Sequence, residues 1–366
     1  MLREFVNIVK TKTITVKILK ALPIGNEVAL LTGSKTIQYA QALLDKAFLN
    51  NGEVLAIPVG GTFNIKYHKG SYYNANNYIL EAIDSLNARY LYYTLLNNAV
   101  QISEHYKGWG CKKLKLNDLL SVELFKNGIP SLQRQAEIVQ ILDTLTTHTT
   151  ELTAKLTARK KQYNFYREKL LTFGEGVEWK KLGSVAIFSQ GLQVDPSEQF
   201  FEKQEGFVRF LRIVDFVKDD EIPRYIKNPE QRYLKKDGDL IMIRYGASAA
   251  GKVFLNYNGA IANNMFKINL TTEIITNKFL HAYLSLPKIY NKLNSTSGTS
   301  TMPAITFDQI GIIQIPIPPL PVQKEIVETL DKFDALTNST TEGLPKEIEL
   351  RQKQYEYYRN ELLNFE

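Results

Sequence analysis

The chain has 366 residues, 44% hydrophobic, 11% aromatic and 23% charged, with a net charge of +7. That length allows two or three domains with cores of their own, and the composition excludes disordered, collagen-like and low-complexity classes. A single cysteine, Cys111, and scattered His68, His105, His148 and His281 exclude an internal disulfide and show no metal-ligand spacing. A reducing, cytoplasmic setting is the expectation, since Met1–Lys12 lacks an apolar signal region and no run of about 18 apolar residues spans a membrane.

In chain order, residues 1–128 read as a mixed α/β domain, with a strand-like run at Gly52–Val59 and a helical one at Ala88–Val100. Residues 129–174 follow as a spacer helix. Between Ser131 and Phe173 there is neither Pro nor Gly, and Ile138, Leu142, Leu145, Thr149, Leu152, Leu156, Arg159, Tyr163, Tyr166, Leu170 and Phe173 keep a heptad seam. Ser131 is the expected N-cap after Ile129-Pro130. Residues 175–316 form a second α/β domain, with strand-like runs at Gly206–Phe216, Asp239–Tyr245, Lys252–Tyr257 and Gly311–Ile317 and a helix over Asn277–Tyr290. Residues 317–366 close the chain with a second helical stretch, in which Gly343 and Pro345 predict a break.

The two helical stretches repeat each other. Ile129-Pro-Ser-Leu-Gln-Arg-Gln-Ala-Glu-Ile-Val-Gln-Ile-Leu-Asp143 matches Ile317-Pro-Pro-Leu-Pro-Val-Gln-Lys-Glu-Ile-Val-Glu-Thr-Leu-Asp331, and Arg159–Phe173 matches Arg351–Phe365. Fainter echoes pair Gly52-Glu-Val-Leu-Ala-Ile with Gly238-Asp-Leu-Ile-Met-Ile, and Ala75-Asn-Asn with Ala262-Asn-Asn. The order is therefore variable domain, helix, variable domain, helix. The first helix carries seven Lys/Arg against four Asp/Glu and the stretch after Pro318 six against ten, which favours pairing of the two.

Motifs for chemistry are absent or incomplete. Gly246–Val253 approaches a phosphate-binding loop but has Val253 where a magnesium-binding hydroxyl is needed, so a glycine-rich strand connection is expected. Asp195, Asp219 and Glu221 lack the spacing of a nuclease site, and the adenine-methyltransferase tetrad is missing.

Two helices led by Ile-Pro, each with Arg-x-Lys-Gln-Tyr-x-aromatic-Tyr-Arg, at Arg159–Arg167 and at Arg351–Arg359, alternate with two divergent domains. This arrangement resembles the specificity subunit of type I restriction-modification enzymes over nearly the whole chain. Glu175–Gly183 resembles the lead-in to a second target recognition domain. The tandem Glu151-Leu-Thr-Ala and Lys155-Leu-Thr-Ala is similar to the tetrapeptide repeat of the type IC subgroup. Before the first domain Met1-Leu2 stands where the Trp-x-x-Leu-Gly lead-in would be, so that strand is expected to be incomplete. The resemblance implies an α+β protein with two α/β target recognition domains and an antiparallel, pseudo-twofold coiled coil. Its partners would be double-stranded DNA, two modification (methyltransferase) subunits and restriction subunits. S-adenosylmethionine, ATP and magnesium would belong to those partners, leaving this chain without cofactor or catalysis. A coiled-coil scaffold that binds only protein, or a self-sufficient DNA-modifying enzyme, remain the alternatives.

Phosphates are held by Lys and Arg, and base edges are read by Arg, Asn and Gln. The candidates are Lys35, Lys66, Tyr67, His68, Lys112, Lys113 and Lys115 in the first domain. In the second they are Arg209, Arg212, Arg224, Arg232, Lys235, Lys236, Arg244, Tyr245 and Lys252, with Lys235 expected as a mobile phosphate contact. Asn76-Asn77 and Asn263-Asn264 suit adenine, and a turn at least as well. Partner contacts are expected from Tyr163, Phe165, Tyr166, Arg167, Tyr355, Tyr357, Tyr358 and Arg359, because three aromatics within four residues cannot all face one seam.

Overall fold

The computed structural model describes all residues except 42–45, 111, 126–127, 219, 237, 247–248, 296–303, 340 and 365–366; Cys111, Asp219 and Phe365 fall outside the described residues. In chain order the first elements are β1 (Val6–Ile8), α1 (Val16–Lys20), β2 (Ile24–Leu31), β3 (Gln38–Ala40), β4 (Asn50–Pro58), β5 (Lys66–Asn74), β6 (Asn77–Ala82), α2 (Ala88–Asn97), α3 (Ala99–Ser103), α4 (Leu116–Leu120) and α5 (Leu132–Leu170). There follow β7 (Glu178–Lys181), β8 (Ala186–Gln190), β9 (Phe207–Leu211), α6 (Val214–Val217), β10 (Arg224–Lys227), β11 (Leu234–Lys235), β12 (Leu240–Ile243), β13 (Val253–Phe254), β14 (Gly259–Ile261) and β15 (Met265–Leu270). The last are α7 (Asn277–Leu284), α8 (Pro287–Ser295), α9 (Phe307–Gly311), β16 (Gln314–Ile317), α10 (Leu320–Thr337) and α11 (Gly343–Leu363). Contacts divide them into two compact units, Met1–Lys155 with Lys346–Glu366, and Leu156–Pro345.

The first unit is built on a six-stranded sheet of order β1-β6-β4-β5-β2-β3, antiparallel except between β2 and β5. In β4 the run Val54-Leu-Ala-Ile57 is buried throughout, because the sheet is covered on both faces. Strand alternation sends Leu55 and Ile57 into a core with Tyr90 and Leu91 of α2, Ile138 and Leu142 of α5, and Tyr355 of α11. It sends Val54 and Ala56 to the other face, beside Ala29, Leu31 and Tyr72.

The second unit applies the same device with two four-stranded sheets, β13-β12-β15-β8 and β10-β9-β14-β11, and the short pair β16-β7. Leu240 and Met242 of β12 face a core with Phe279 and Leu280 of α7 and with Ile326 and Leu330 of α10. Ile241 and Ile243 face Phe210, Leu211 and Met265. The faint echoes are structural equivalents: Leu55 stands opposite Leu80 and Ile241 opposite Lys267, each three residues beyond the echoed Gly and Asn. Leu2 also has a counterpart. Its N–H donates to Val122 C=O at 2.8 Å, as that of Leu182 does to Ile313 C=O at 2.9 Å, and both leucines are fully buried.

The strongest equivalence is polar. Gln135 and Gln323 are fully buried at the start of α5 and α10. Gln135 Oε1 accepts the Asn87 N–H at 2.7 Å while its Nε2 donates to Ser85 C=O at 3.1 Å and Pro130 C=O at 2.9 Å. Gln323 Oε1 accepts the Thr276 N–H at 2.9 Å while its Nε2 donates to Ile274 and Pro318 C=O, each at 2.8 Å. Each amide thus satisfies two backbone groups at the N-cap of α2 or α7 and one in the lead-in to its own helix. Asn87 and Thr276 in turn cap those helices by accepting N–H donors with their side chains.

The helical repeats meet expectation at their ends and breaks. Ser131 Oγ accepts the Arg134 N–H at 3.3 Å. Between α10 and α11, Gly343 takes φ +72°, and a Cβ there would stand 2.5 Å from Ala335 C=O, so only glycine fits the turn. Five expected elements differ. The Ala88–Val100 helix is two, α2 and α3, broken at Asn98, and of the Lys252–Tyr257 run only Val253–Phe254 is strand. The Gly206–Phe216 run ends as strand at Leu211, and α6 forms because the enclosed carboxylate of Asp215 accepts the Arg212 N–H at 2.9 Å, closing a turn. The Asn277–Tyr290 helix is split into α7 and α8 ahead of Pro287, whose ring disfavours helical geometry in the preceding residue. Gly311 ends α9 instead of starting a strand. Of the Gly246–Val253 run, residues 247–248 lie outside the described residues; the described part leads from β12 into β13, with the Gly251 N–H donating to Ile243 C=O at 2.9 Å.

Candidate nucleic-acid interface

In the first unit, hydrogen bonds join three loops edge to edge. Gly33 C=O accepts from Asn64 Nδ2 at 3.2 Å, and Lys112 C=O accepts the Gly61 N–H at 2.8 Å. The loops after β2, after β4 and before α4 are thereby neighbours, and they carry the exposed Lys35, Lys107, Lys112, Lys113 and Lys115. Lys107 escaped the sequence reading, because it stands apart from Lys112, Lys113 and Lys115 in the chain and joins them only through its backbone pair with Lys113.

β5 places its candidates differently. Lys66 is 3% exposed, donates to Asn64 Oδ1 at 2.7 Å, and burial lowers its pKa to about 8. His68 is 8% exposed, with Nε2 3.1 Å from Ser71 C=O, and burial holds its pKa down. Both are expected at the surface from sequence and are instead enclosed, because alternate β5 side chains face the layer beneath. Tyr67 donates to Glu53 Oε1 at 2.6 Å under the Arg89 guanidinium, 4.7 Å from its ring centre, and burial pushes its pKa up to about 12. Lys35, Lys66, Tyr67, Arg89 and Tyr355 line one cleft of about 460 Å³.

In the second unit, Arg209 and Arg212 converge on Asp215, each guanidinium 3.2 Å from a carboxylate whose side chain is wholly enclosed. Arg212 also meets Glu221 at 2.9 Å and donates to Ile222 C=O at 3.1 Å, so its donors serve the fold. Arg209 lies 4.3 Å from the Tyr257 ring and lines a cleft of about 570 Å³ with Lys203, Tyr225, Lys236 and Asn258. Lys203 and Asn258 are additions to the sequence candidates. Lys235 is 2% exposed and donates to Leu255 C=O at 2.7 Å, so it is a fixed internal group and not a mobile phosphate contact. Arg224 sits 3.4 Å from the Phe201 ring, Arg232 pairs with exposed Glu230 at 3.1 Å, and Arg244 lies 4.9 Å from the Tyr245 ring. Lys252 is exposed beside α8.

The first asparagine pair serves backbone, and the second joins backbone and side-chain contacts. Asn76 adopts φ 60°, and buried Asn77 donates to Leu31 C=O at 2.7 Å. Asn264 C=O accepts the Arg244 N–H at 2.8 Å, while Asn263 donates to Gln193 Oε1 at 3.1 Å.

On the helices the aromatic triplets divide two outward and one inward. Tyr355 is buried in its unit's core, and Tyr163 packs at 6.2 Å on Phe333 of α10, each with its arginine, Arg359 or Arg167, about 5.5 Å from the ring. Phe165 and Tyr357 are 61% and 60% exposed. They stand edge-on to Tyr166 and Tyr358 with the same 5.4 Å separation in both repeats. Tyr166 also stacks at 5.8 Å on Phe333.

Among the described residues no group of three His, Cys, Asp or Glu side chains is placed to hold a metal, and no helix is long and apolar enough to cross a membrane. The family model for the type I restriction modification DNA specificity domain matches twice, over residues 2–161 and 174–350. The chain belongs to this family. It is 39% identical over 249 residues to the Escherichia coli EcoR124I/EcoR124II specificity subunit, covering 64% of this chain and 60% of that protein. A Haemophilus influenzae protein named for the same subunit type is 31% identical over 342 residues, 87% of this chain and 85% of that one. In fold the specificity chain is similar to the Mycoplasma genitalium type I S subunit, with a TM-score of 0.63 at 14% identity over 100% of this chain and 95% of that one. Two domains and a long helix, α5 of 39 residues, are shared features of the type.

Proposed function

We propose that the chain is the addressing subunit of a type I restriction-modification complex, in which each unit reads one half of a split DNA target. The observation that carries this reading is the contrast between frame and loops. The β4/β6 and β12/β15 registers, the two buried glutamines and the exposed aromatic pairs recur, whereas the basic loops do not. One scaffold presenting two unlike polar surfaces is what two different half-sites require. Phosphate contacts are assigned to Lys35, Lys107, Lys112, Lys113 and Lys115 in the first unit and to Lys203, Arg232, Lys236 and Lys252 in the second. Arg209, Arg224 and Arg244, each held against an aromatic ring, are the candidates for base edges, because a guanidinium fixed in orientation can meet a guanine with two parallel bonds.

The Phe165–Tyr166 and Tyr357–Tyr358 pairs, one in each helical repeat, are docking points for two methyltransferase subunits, with restriction subunits joining them for cleavage. Those partners hold S-adenosylmethionine, ATP and magnesium, and this chain performs no chemistry itself. Exchange of residues 175–316 for the matching stretch of another specificity subunit, followed by methylome sequencing of the host, tests the division of labour. One half-site should change and the other stay. Two altered half-sites would refute it, and methylation by the isolated chain would refute the non-catalytic role.

A further inference from the structure

Trp109 is 104% exposed relative to a free residue, while the chain's other tryptophan, Trp179, is 39% exposed and packs edge-on to Tyr283 at 6.4 Å. Tryptophan is highly buried on average, so one held wholly in water needs a reason. Its loop is not loose at the base. Lys107 and Lys113 exchange both backbone hydrogen bonds, at 3.0 and 2.9 Å, and Leu114 N–H donates to Val59 C=O at 2.8 Å. Tyr106, 5% exposed, donates its hydroxyl to Pro58 C=O at 2.6 Å, and Leu114 is 1% exposed. The tip is the reverse: Gly108 and Gly110, at φ 126° and 77°, flank the indole with no side chain to cover it. From Lys107 to Lys115 there are four lysines and no acidic residue.

A flat apolar ring raised on an anchored, glycine-flanked, wholly basic loop matches the chemistry of a base stack between phosphates. We propose that Trp109 is a stacking wedge for duplex DNA, its indole entering at a base step while Lys107 and Lys113 hold the flanking phosphates. This rests on the DNA-addressing reading above and adds a positioning residue that reads deformability, since steps that unstack easily accept such a wedge at least cost. A protein-docking role would leave the lysines without purpose.

The test uses the full chain carrying Trp179→Phe, so that Trp109 is the sole indole emitter, titrated at low salt with a mixed-sequence duplex of about 30 base pairs. Stacking should quench the emission and remove acrylamide access at saturation. Trp109→Ala should weaken duplex binding by roughly tenfold, and Trp109→Phe should recover most of it, as base–aromatic stacking predicts. The salt slope should be unchanged in both, whereas Lys113→Ala should lower it by about 1. Unquenched emission at saturation, or Trp109→Ala binding duplex as tightly as the parent, overturns the wedge and leaves the addressing role standing. Loss of methyltransferase co-purification by Trp109→Ala with duplex affinity intact overturns it in favour of protein docking. A parent chain that binds no duplex at all removes the addressing role, and the wedge with it.

Discussion

Replacing Gln323 by Met keeps the length and volume of the side chain and removes all three of its hydrogen bonds. The Thr276 N–H and the Ile274 and Pro318 carbonyls then lose their partner beside a residue at 0% exposure. Each stranded buried group costs about 1–3 kcal/mol, and carbonyls with a second lone pair fall at the low end, so the variant should lose about 3–5 kcal/mol. Gln135→Met should cost the same at the Asn87 N–H and the Ser85 and Pro130 carbonyls. Because the chain has two units, a single unfolding midpoint does not isolate either effect, and amide hydrogen exchange is the suitable assay. Gln135→Met should speed exchange in Ala88–Asn97 by roughly 100-fold or more, at about 1.4 kcal/mol per tenfold, and leave Asn277–Leu284 unchanged; Gln323→Met should do the converse. Exposed Gln133→Met, two positions from Gln135, serves as the control and should stay within about 0.5 kcal/mol of the parent. Protection within threefold of the parent in either glutamine variant would refute the reasoning.

Two further outcomes follow from the placement of charged groups. Burial lowers the folded-state pKa of Lys66 from 10.5 to about 8. The unfolded chain therefore binds more protons between those values, and this residue's contribution makes stability rise with pH across that window, by about 3 kcal/mol at most. Lys66→Met should be at least as stable as the parent at pH 7 and lack the rise from pH 8 to 9.5 in denaturant titrations; a variant clearly less stable at pH 7 would count against it. Arg212→Ala should cost about 3 kcal/mol by leaving the enclosed Asp215 with Arg209 alone, whereas exposed Lys236→Ala should leave stability intact and weaken duplex binding on every sequence alike. Denaturation and filter binding of both variants decide it, and equal stability of the two would refute the assignment.

The helices were legible from sequence because heptad spacing and the missing Pro and Gly are local properties, and the break at Gly343 followed from the same rule. The domain echoes were legible as far as β4 and β12, whose fully buried runs mark strands covered on both faces. Local pattern did not disclose which basic side chains face water. Lys66 and Lys235 stand in strands next to Tyr67 and Lys236, and only packing turns them inward, where Asn64 of the same segment receives one ammonium and the distant Leu255 C=O the other. Lys203 and Asn258 were missed for the complementary reason. They come from loops far apart in sequence and meet only when Gly259 of β14 lies against β9. Asp215 could have been found, since an acid three residues after an Arg in a strand-like run is a turn signal as well as an ion-pair signal.

The repeat also identifies what the frame depends on. Arg89–Asp143 and Lys278–Asp331 occupy equivalent positions between a domain helix and the start of a spacer helix. The first pair is about one-third exposed and the second about two-thirds. Ion pairs that open to solvent contribute roughly 0–1 kcal/mol, so neither can fix the helix to its domain. Apolar contacts at Ile138 and Leu142, or Ile326 and Leu330, supply most of the burial but have no direction, and a helix held by them alone could slide by a turn. The buried glutamine removes that freedom, because only one register places the amide against an N–H and a carbonyl of the domain at once. The same residue in the same role in both units therefore fixes the register of each spacer helix on its own domain. The loop bearing Lys107 and Trp109 and the strands β9 and β10 bearing Arg209 and Arg224 lie outside that lock, and they can diverge without disturbing it.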